Sequence, residues 1–170
     1  MKITNVHNLP QPLLNVAKRP QPIKKGIRTT TLINSVRINA LNKIHREEIV
    51  TDLSDQLIAL LGTGFHTLME SGCDKNNITE QSLTGNIDGQ TVTGTVDLLS
   101  RPSSAENFSI YDYKVTTAWS AVQEKPEWET QLNVYRWLVE QSGIPVKSLN
   151  VIAVIRDWNK REMMADEKYP

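Results

Sequence analysis

The chain has 170 residues, 39% of them apolar and 22% charged, and its 19 basic and 19 acidic residues cancel to a formal net charge of zero. That is the make-up of one soluble domain with a sizeable core; it lacks the global positive field that advertises a polyanionic partner, so nucleic-acid binding would have to rest on a local patch. The single cysteine, Cys73, excludes an intramolecular disulfide and any site needing several thiolates, an iron–sulfur cluster among them.

Residues 1–20 hold no apolar core long enough for a signal peptide, and no run approaches the roughly 20 apolar residues of a membrane span, which points to the cytoplasm and away from a membrane. Pro10, Pro12, Pro20 and Pro22, with the basic residues Lys18, Arg19, Lys24, Lys25 and Arg28, predict an irregular arm over residues 1–30. Its charges read more readily as a solvated loop than as a phosphate-binding patch. Apolar positions 32, 33, 36, 40, 41 and 44 predict a helix within residues 31–49, with His45 on the surface at its charged end.

Over residues 52–70 the positions 53, 57, 60, 61, 64, 65 and 68 form one stripe at about 100° per residue, the best helix of the N-terminal half. His66 falls nearly opposite that stripe, so it is either in solvent or aimed at something across from the helix. Gly62 and Gly64 weaken the helix by about 1 kcal/mol each relative to alanine, which makes most sense where a backbone or ligand approaches closely. Cys73 follows as a small buried or loop residue.

Beyond it the period changes to two. Residues 78–85 and 90–99 alternate around the turn signal "NIDG", a hairpin whose second strand puts Val92, Gly94, Val96 and Leu98 on one face and Thr91, Thr93, Thr95 and Asp97 on the other. The loop "SRPSSAEN" leads to a third strand, "FSIYDYKVT", completing a meander. "KPEWETQLNVYRWLVEQSG" is an amphipathic helix with Pro126 near its start and Gly143 past its end, and Trp119, Trp128 and Trp137 read as core or rim packing. "SLNVIAVIRDW" closes the pattern as an apolar strand. The ending "NKREMMADEKYP" is polar and stops without a terminating element, as it would if cut from a longer sequence.

On the third strand Phe108, Ile110, Asp112 and Lys114 share a face. An isolated Asp-x-Lys reads as a structural ion pair at a strand end. Asp97 changes its weight, because the intervening loop can bring the two strand ends side by side, and adjacent carboxylates call for a proton or a cation such as Mg²⁺ between them. A lysine on that face can then orient a water or offset charge on a phosphate. On the second helix Gln131 and Tyr135 share a face, and the glutamine needs hydrogen-bond partners, either a neighbouring backbone or an active site.

"GTGFH" ending in His66, "GTVD" ending in Asp97, "DYK" from Asp112 to Lys114 and "QLNVY" from Gln131 to Tyr135 resemble the ordered motifs of the PD-(D/E)XK nuclease superfamily, in the branch of RecB-like and lambda-type phage exonucleases. The resemblance spans about residues 60–157. It implies an α/β fold with a restriction-endonuclease-like core: a central mixed sheet, a three-strand meander plus a further strand, flanked by helices. Residues 1–170 then form a single nuclease domain with its catalytic core at 52–157. It further implies that His66, Asp97, Asp112 and the backbone carbonyl of Tyr113 are ligands of Mg²⁺ or Mn²⁺, that Lys114 positions the attacking water, and that Gln131 and Tyr135 line the cleft. Glu80 is a further acidic candidate, not separable from a solvated strand residue. Val96 stands where the family name has proline, and one cysteine leaves no iron–sulfur cluster.

The expected function is a metal-dependent DNA nuclease, an exonuclease before an endonuclease, in DNA recombination, repair or phage DNA processing, in the cytoplasm of a bacterial or phage-infected cell. Its partners would be linear DNA, double- or single-stranded, in a groove drawn from the arm and Arg101, Lys125 or Arg136; a recombinase, single-strand annealing protein or helicase acting in trans; and a second copy in a homo-oligomer. The rival readings are a catalytically silent nucleic-acid-binding subunit of the same fold, and an unrelated binding module whose acidic pair and lysine are a strand-end salt bridge.

Overall fold

The turn at "NIDG" organises the sheet. In the structure, a computed structural model that describes residues 2–20, 25–101 and 107–168, the predicted strands are β4 (Asn77–Ile87) and β5 (Gln90–Ser100). They run antiparallel in register from Asn77↔Ser100 to Ile87↔Gln90. Asp88 and Gly89 between them both take positive φ, +48° and +76°, the tight turn whose twist matches paired strands. β6 (Phe108–Thr116) continues the meander antiparallel to β5, and β7 (Val146–Ile155) lies parallel to β6. Most of the loop joining β5 to β6, residues 102–106, lies outside the described residues.

The crossover to β7 runs through the short α5 (Ala118–Ala121) and then α6 (Pro126–Gln141), which starts at a proline and ends before Gly143, at φ +78°. α6 packs Leu132, Tyr135, Leu138 and Val139 onto Val92, Val96, Leu99 and Ile110 of the sheet. Truncating a fully buried side chain such as Leu138 or Leu99 to alanine would cost roughly 2–5 kcal/mol. Gly94 makes this contact close: a Cβ there would stand 2.8 Å from a Leu138 methyl and 2.9 Å from the Tyr135 ring. Trp137 covers Gly85 at the rim, whereas Trp119, expected to pack, is 48% exposed.

The strand alternation slips once. Ile78 and Leu83 on β4, and Val96 and Leu99 on β5, pack on the same core although each pair is an odd number of residues apart. Leu99 is therefore fully buried where alternation predicts Leu98. The slip sits at Glu80, in left-handed backbone (φ +49°), opposite Asp97.

The N-terminal arm is not irregular. β1 (Lys2–Thr4) pairs parallel with β3 (Val50–Asp52), α1 (Gln11–Ala17) begins directly after Pro10, and β2 (Ile27–Arg28) adds parallel to β5 at Val92 and Thr93. Pro10 and Pro12 are tolerated because they sit at the start of α1, where their missing N–H is not needed. Pro22 and Lys24 lie outside the described residues. The helix expected within residues 31–49 is broken at Asn34 and Ser35 into α2 (Thr29–Ile33) and α3 (Val36–Ile44), since both residues favour caps over helix interiors.

α4 (Leu53–Ser71) is anchored at its start by a capping box in which Asp52 accepts from the Ser54 N–H at 3.0 Å and the Asp55 carboxylate accepts from the Asp52 N–H. Asp52 also accepts from the Val6 N–H and the Thr4 hydroxyl, tying β1 to the helix. The Val6 and Ser54 backbone donors hold its carboxyl far below the usual carboxylate range. The packing face differs from the predicted stripe: Leu57, Leu61 and Leu68 are exposed, while Leu53, Leu60, Phe65 and His66 are buried or half-buried. His66 thus belongs to the inward side. A Cβ on Gly62 or Gly64 would meet no protein atom within 4 Å, so no backbone approaches closely there, and Gly62 faces the open cleft described below. The polar C-terminal stretch does form an element, α7 (Lys160–Ala165), capped by Asn159; residues 169–170 lie outside the described residues. Among the described residues no helix is long and apolar enough to cross a membrane.

Candidate active site

His66 reaches from α4 toward the point where β4 and β5 lose their alternation. Its Nδ1 lies 3.2 Å from Glu80 Oε1 and 3.4 Å from Asp97 Oδ1, and one donor atom from each of the three residues falls within 4.8 Å of the others. Tyr113 holds the helix in place: its ring meets Phe65 edge-on at 5.5 Å and His66 edge-on at 6.0 Å. The Tyr113 N–H donates to Asp97 Oδ2 at 2.8 Å, so an aspartate side chain fills a ladder position where β5 parts from β6. Burial first, then the nearby Asp112 and Glu80 carboxylates, push the Asp97 carboxyl up to about 6, against the lowering pull of the Tyr113 N–H and His66.

On the α6 side of β6 a second group forms. Lys114 Nζ lies 2.7 Å from Asp112 Oδ2 and donates to Gln131 Oε1 at 3.1 Å. Gln131 Nε2 donates to Asp112 Oδ1 at 3.2 Å and to the Tyr135 hydroxyl at 2.8 Å. Asp112 is 2% exposed, and its Oδ2 has the lysine contact but no hydrogen bond of good geometry, leaving acceptor capacity on a buried carboxylate. Burial pushes the Tyr135 phenol up to about 12, so it is a neutral O–H donor.

The structure therefore gathers His66 and Asp97 as the motifs suggest, but with Glu80 as the third donor. Asp112 faces Lys114 and Gln131 instead of joining that trio, because the ion pair and the glutamine hold it toward α6. The Tyr113 backbone meets the cluster through its N–H, which donates to Asp97, on the strand edge to which the carbonyl of the same residue also turns. Glu80 was legible in one way: a register counted back from the turn, Ile87↔Gln90, puts it across from Asp97. A nitrogen and two carboxylate oxygens at this spacing, one of them from the Asp97 carboxyl that burial and neighbouring carboxylates raise, fit a hard divalent cation.

His66 and Glu80 of the trio and Lys114 open on one cleft of about 810 Å³, whose walls also include Thr63, Glu70, Arg28 and Thr30. Of the cations expected to build a groove, Arg28 is there. Arg101 lies over the Phe108 ring at 5.2 Å, Arg136 pairs with Glu140 at 2.9 Å, and Lys125 borders a separate hollow beside Trp128.

Three comparisons bear on this geometry. The family model of the PD-(D/E)XK nuclease superfamily matches residues 64–155, a segment that contains His66, Glu80, Asp97, Asp112, Lys114, Gln131 and Tyr135. The crystal structure of SSO0001 is similar in fold, with a TM-score of 0.58 at 20% identity over 83% of this chain and 67% of that one. Curated proteins give no match.

Proposed function

The chain belongs to the PD-(D/E)XK nuclease superfamily, and from that premise we propose a DNA nuclease dependent on Mg²⁺ or Mn²⁺, an exonuclease acting on linear DNA in recombination, repair or phage DNA processing. The observation that carries it is the meeting of His66, Glu80 and Asp97 within 4.8 Å, beside the cleft that His66 and Glu80 share with Lys114. His66, Glu80 and Asp97 would hold the cation, with Asp112 and the Tyr113 carbonyl as further donors. A divalent cation bound there supplies charge compensation and polarises phosphate oxygens. Lys114 does the rest from the chain's side: Asp112 and Gln131 engage two of its ammonium's three N–H groups and fix it, leaving one to orient an attacking water while its charge offsets charge developing on the phosphate. Gln131 fixes the lysine, and Tyr135 fixes Gln131. A recombinase, an annealing protein, a helicase or a second copy of the chain are the partners this reading suggests.

The test is cleavage of linear duplex DNA with Mg²⁺ or Mn²⁺, against EDTA and against circular DNA. Degradation of the linear form that EDTA stops supports the proposal. Tight DNA binding with no cleavage in either metal would favour the silent binding subunit instead.

A further inference from the structure

Part of the apolar stripe of α4 is left outside the fold. Leu57, Leu61 and Leu68 are 36%, 52% and 61% exposed, with Gly64 exposed between them. The opposite side of the helix borders the cleft, through Gly62, Thr63, His66 and Glu70. Asp55, His66 and Glu70 are the titratable side chains of α4, and at about 100° per residue each lies roughly 150° or more around the helix from the exposed leucines. The outer face is therefore both apolar and free of charge, unlike a helix face built to stay in water.

The spacing indicates what covers it. Residues 57, 61, 64 and 68 follow the four-three-four steps of a coiled-coil seam. The series also reads the same in both directions: reversed about its midpoint, position 57 falls on 68 and position 61 on 64. A second copy of α4, antiparallel across a two-fold axis, would set Leu57 against the second copy's Leu68 and Leu61 against its Gly64. Gly64 supplies the hole for that leucine. A Cβ there would meet nothing within 4 Å, so the glycine relieves no crowding inside the chain although it weakens the helix. Nucleic acid fits this face poorly, since no lysine or arginine occurs between Glu47 and Asp74.

We propose that the chain forms a two-fold dimer through the outer faces of α4, packed antiparallel. α1 packs beside α4 and exposes Val16, which enlarges the contact. The seam covers only three turns, small beside an interface of roughly 800 Å² per partner, so the dimer is a reversible one. His66 lies on the far side of α4 from the seam, so both clefts stay open, one on each side of the axis. The proposal does not depend on the nuclease reading.

The test is sedimentation velocity of the whole protein from about 1 to about 100 μM, the range in which a small reversible interface assembles. The parent should pass from monomer to dimer across it. Leu61→Lys puts charge beside the axis, and Gly64→Leu fills the hole; both positions are exposed, so the monomer should keep its helicity and melting temperature. Each substitution should weaken dimerisation about tenfold or more. Disulfide formation in a Cys73→Ser background, which removes the exposed native thiol, reads the direction of packing. Leu57→Cys mixed with Leu68→Cys should cross-link, and neither should cross-link alone. A chain still monomeric at about 100 μM overturns the proposal, as does a dimer that both substitutions leave intact. Cross-linking of Leu57→Cys with itself, or none in the mixture, overturns the antiparallel seam.

Discussion

Asp52 and Asp97 are both strand carboxylates close to α4, and the chain treats them in opposite ways. Asp52, at the helix start, collects the N–H groups of Val6 and Ser54 and the hydroxyls of Thr4 and Ser54, and its carboxyl is held far below the usual range. Asp97, facing His66 at the other end of the helix, accepts from the Tyr113 N–H, but burial first and then the Asp112 and Glu80 carboxylates lift it to about 6. A carboxylate that the fold satisfies with its own donors holds the fold. One that the fold surrounds with like charge is arranged for something that arrives from outside.

The largest effect expected around the Asp97 end is on turnover. Lys114→Ala should bind DNA and metal nearly normally yet lose cleavage by about 10² or more, typical of one preorganised electrostatic contact. Single-turnover cleavage of linear duplex in saturating Mg²⁺ measures it. Cleavage within a few-fold of the parent would make the Lys114–Asp112 pair a strand-end salt bridge. Next in size is the metal affinity. Glu80→Gln should weaken Mn²⁺ binding by about tenfold, equivalent to about 1.4 kcal/mol, whereas Asp52→Asn should leave it unchanged and lower the melting temperature instead. Calorimetry and thermal melts on both variants separate the two carboxylates, and a reversed pattern would break the comparison.

The smallest effect is in pH, and its sign differs at the two ends. Asp97 has a folded pKa raised above 3.8, so the stability it contributes is present below that value and is lost as pH rises toward about 6. Asp52 has a lowered one, so its contribution is present above 3.8 and is lost as the solution becomes more acidic. Melts of the metal-free protein should therefore flatten on the near-neutral side with Asp97→Asn and on the acid side with Asp52→Asn. Mn²⁺ added above about pH 6 should restore what Asp97 removes, since a ligand of the folded state stabilises it.

Much of the core was legible because its signals are local. The period-two stretches, the "NIDG" turn, Pro126 and Gly143 each specify their element through backbone preference alone, and the meander, α6 and β7 stand where they predict. What was not legible depends on tertiary contact. The face of α4 is set by Tyr113 and the sheet and not by the apolar count, so Leu57, Leu61 and Leu68 lie outside and His66 inside. Pro10 and Pro12 counted against a helix that in fact begins at them. At the site, motif order supplied His66, Asp97, Asp112 and Lys114, but Glu80 needed a strand register, and the turning of Asp112 toward Gln131 needed the packing of α6.

The central claim, that the cluster facing His66 is built for a cation, is tested most directly by soaking crystals of the protein in Mn²⁺ and reading the anomalous density. The account predicts one strong peak bounded by His66, Glu80 and Asp97, with Asp112 turned toward it or left on Lys114. Density elsewhere, or an unchanged His66–Glu80–Asp97 cluster with no peak at saturating Mn²⁺, would contradict it and return the cluster to a hydrogen-bonded strand end.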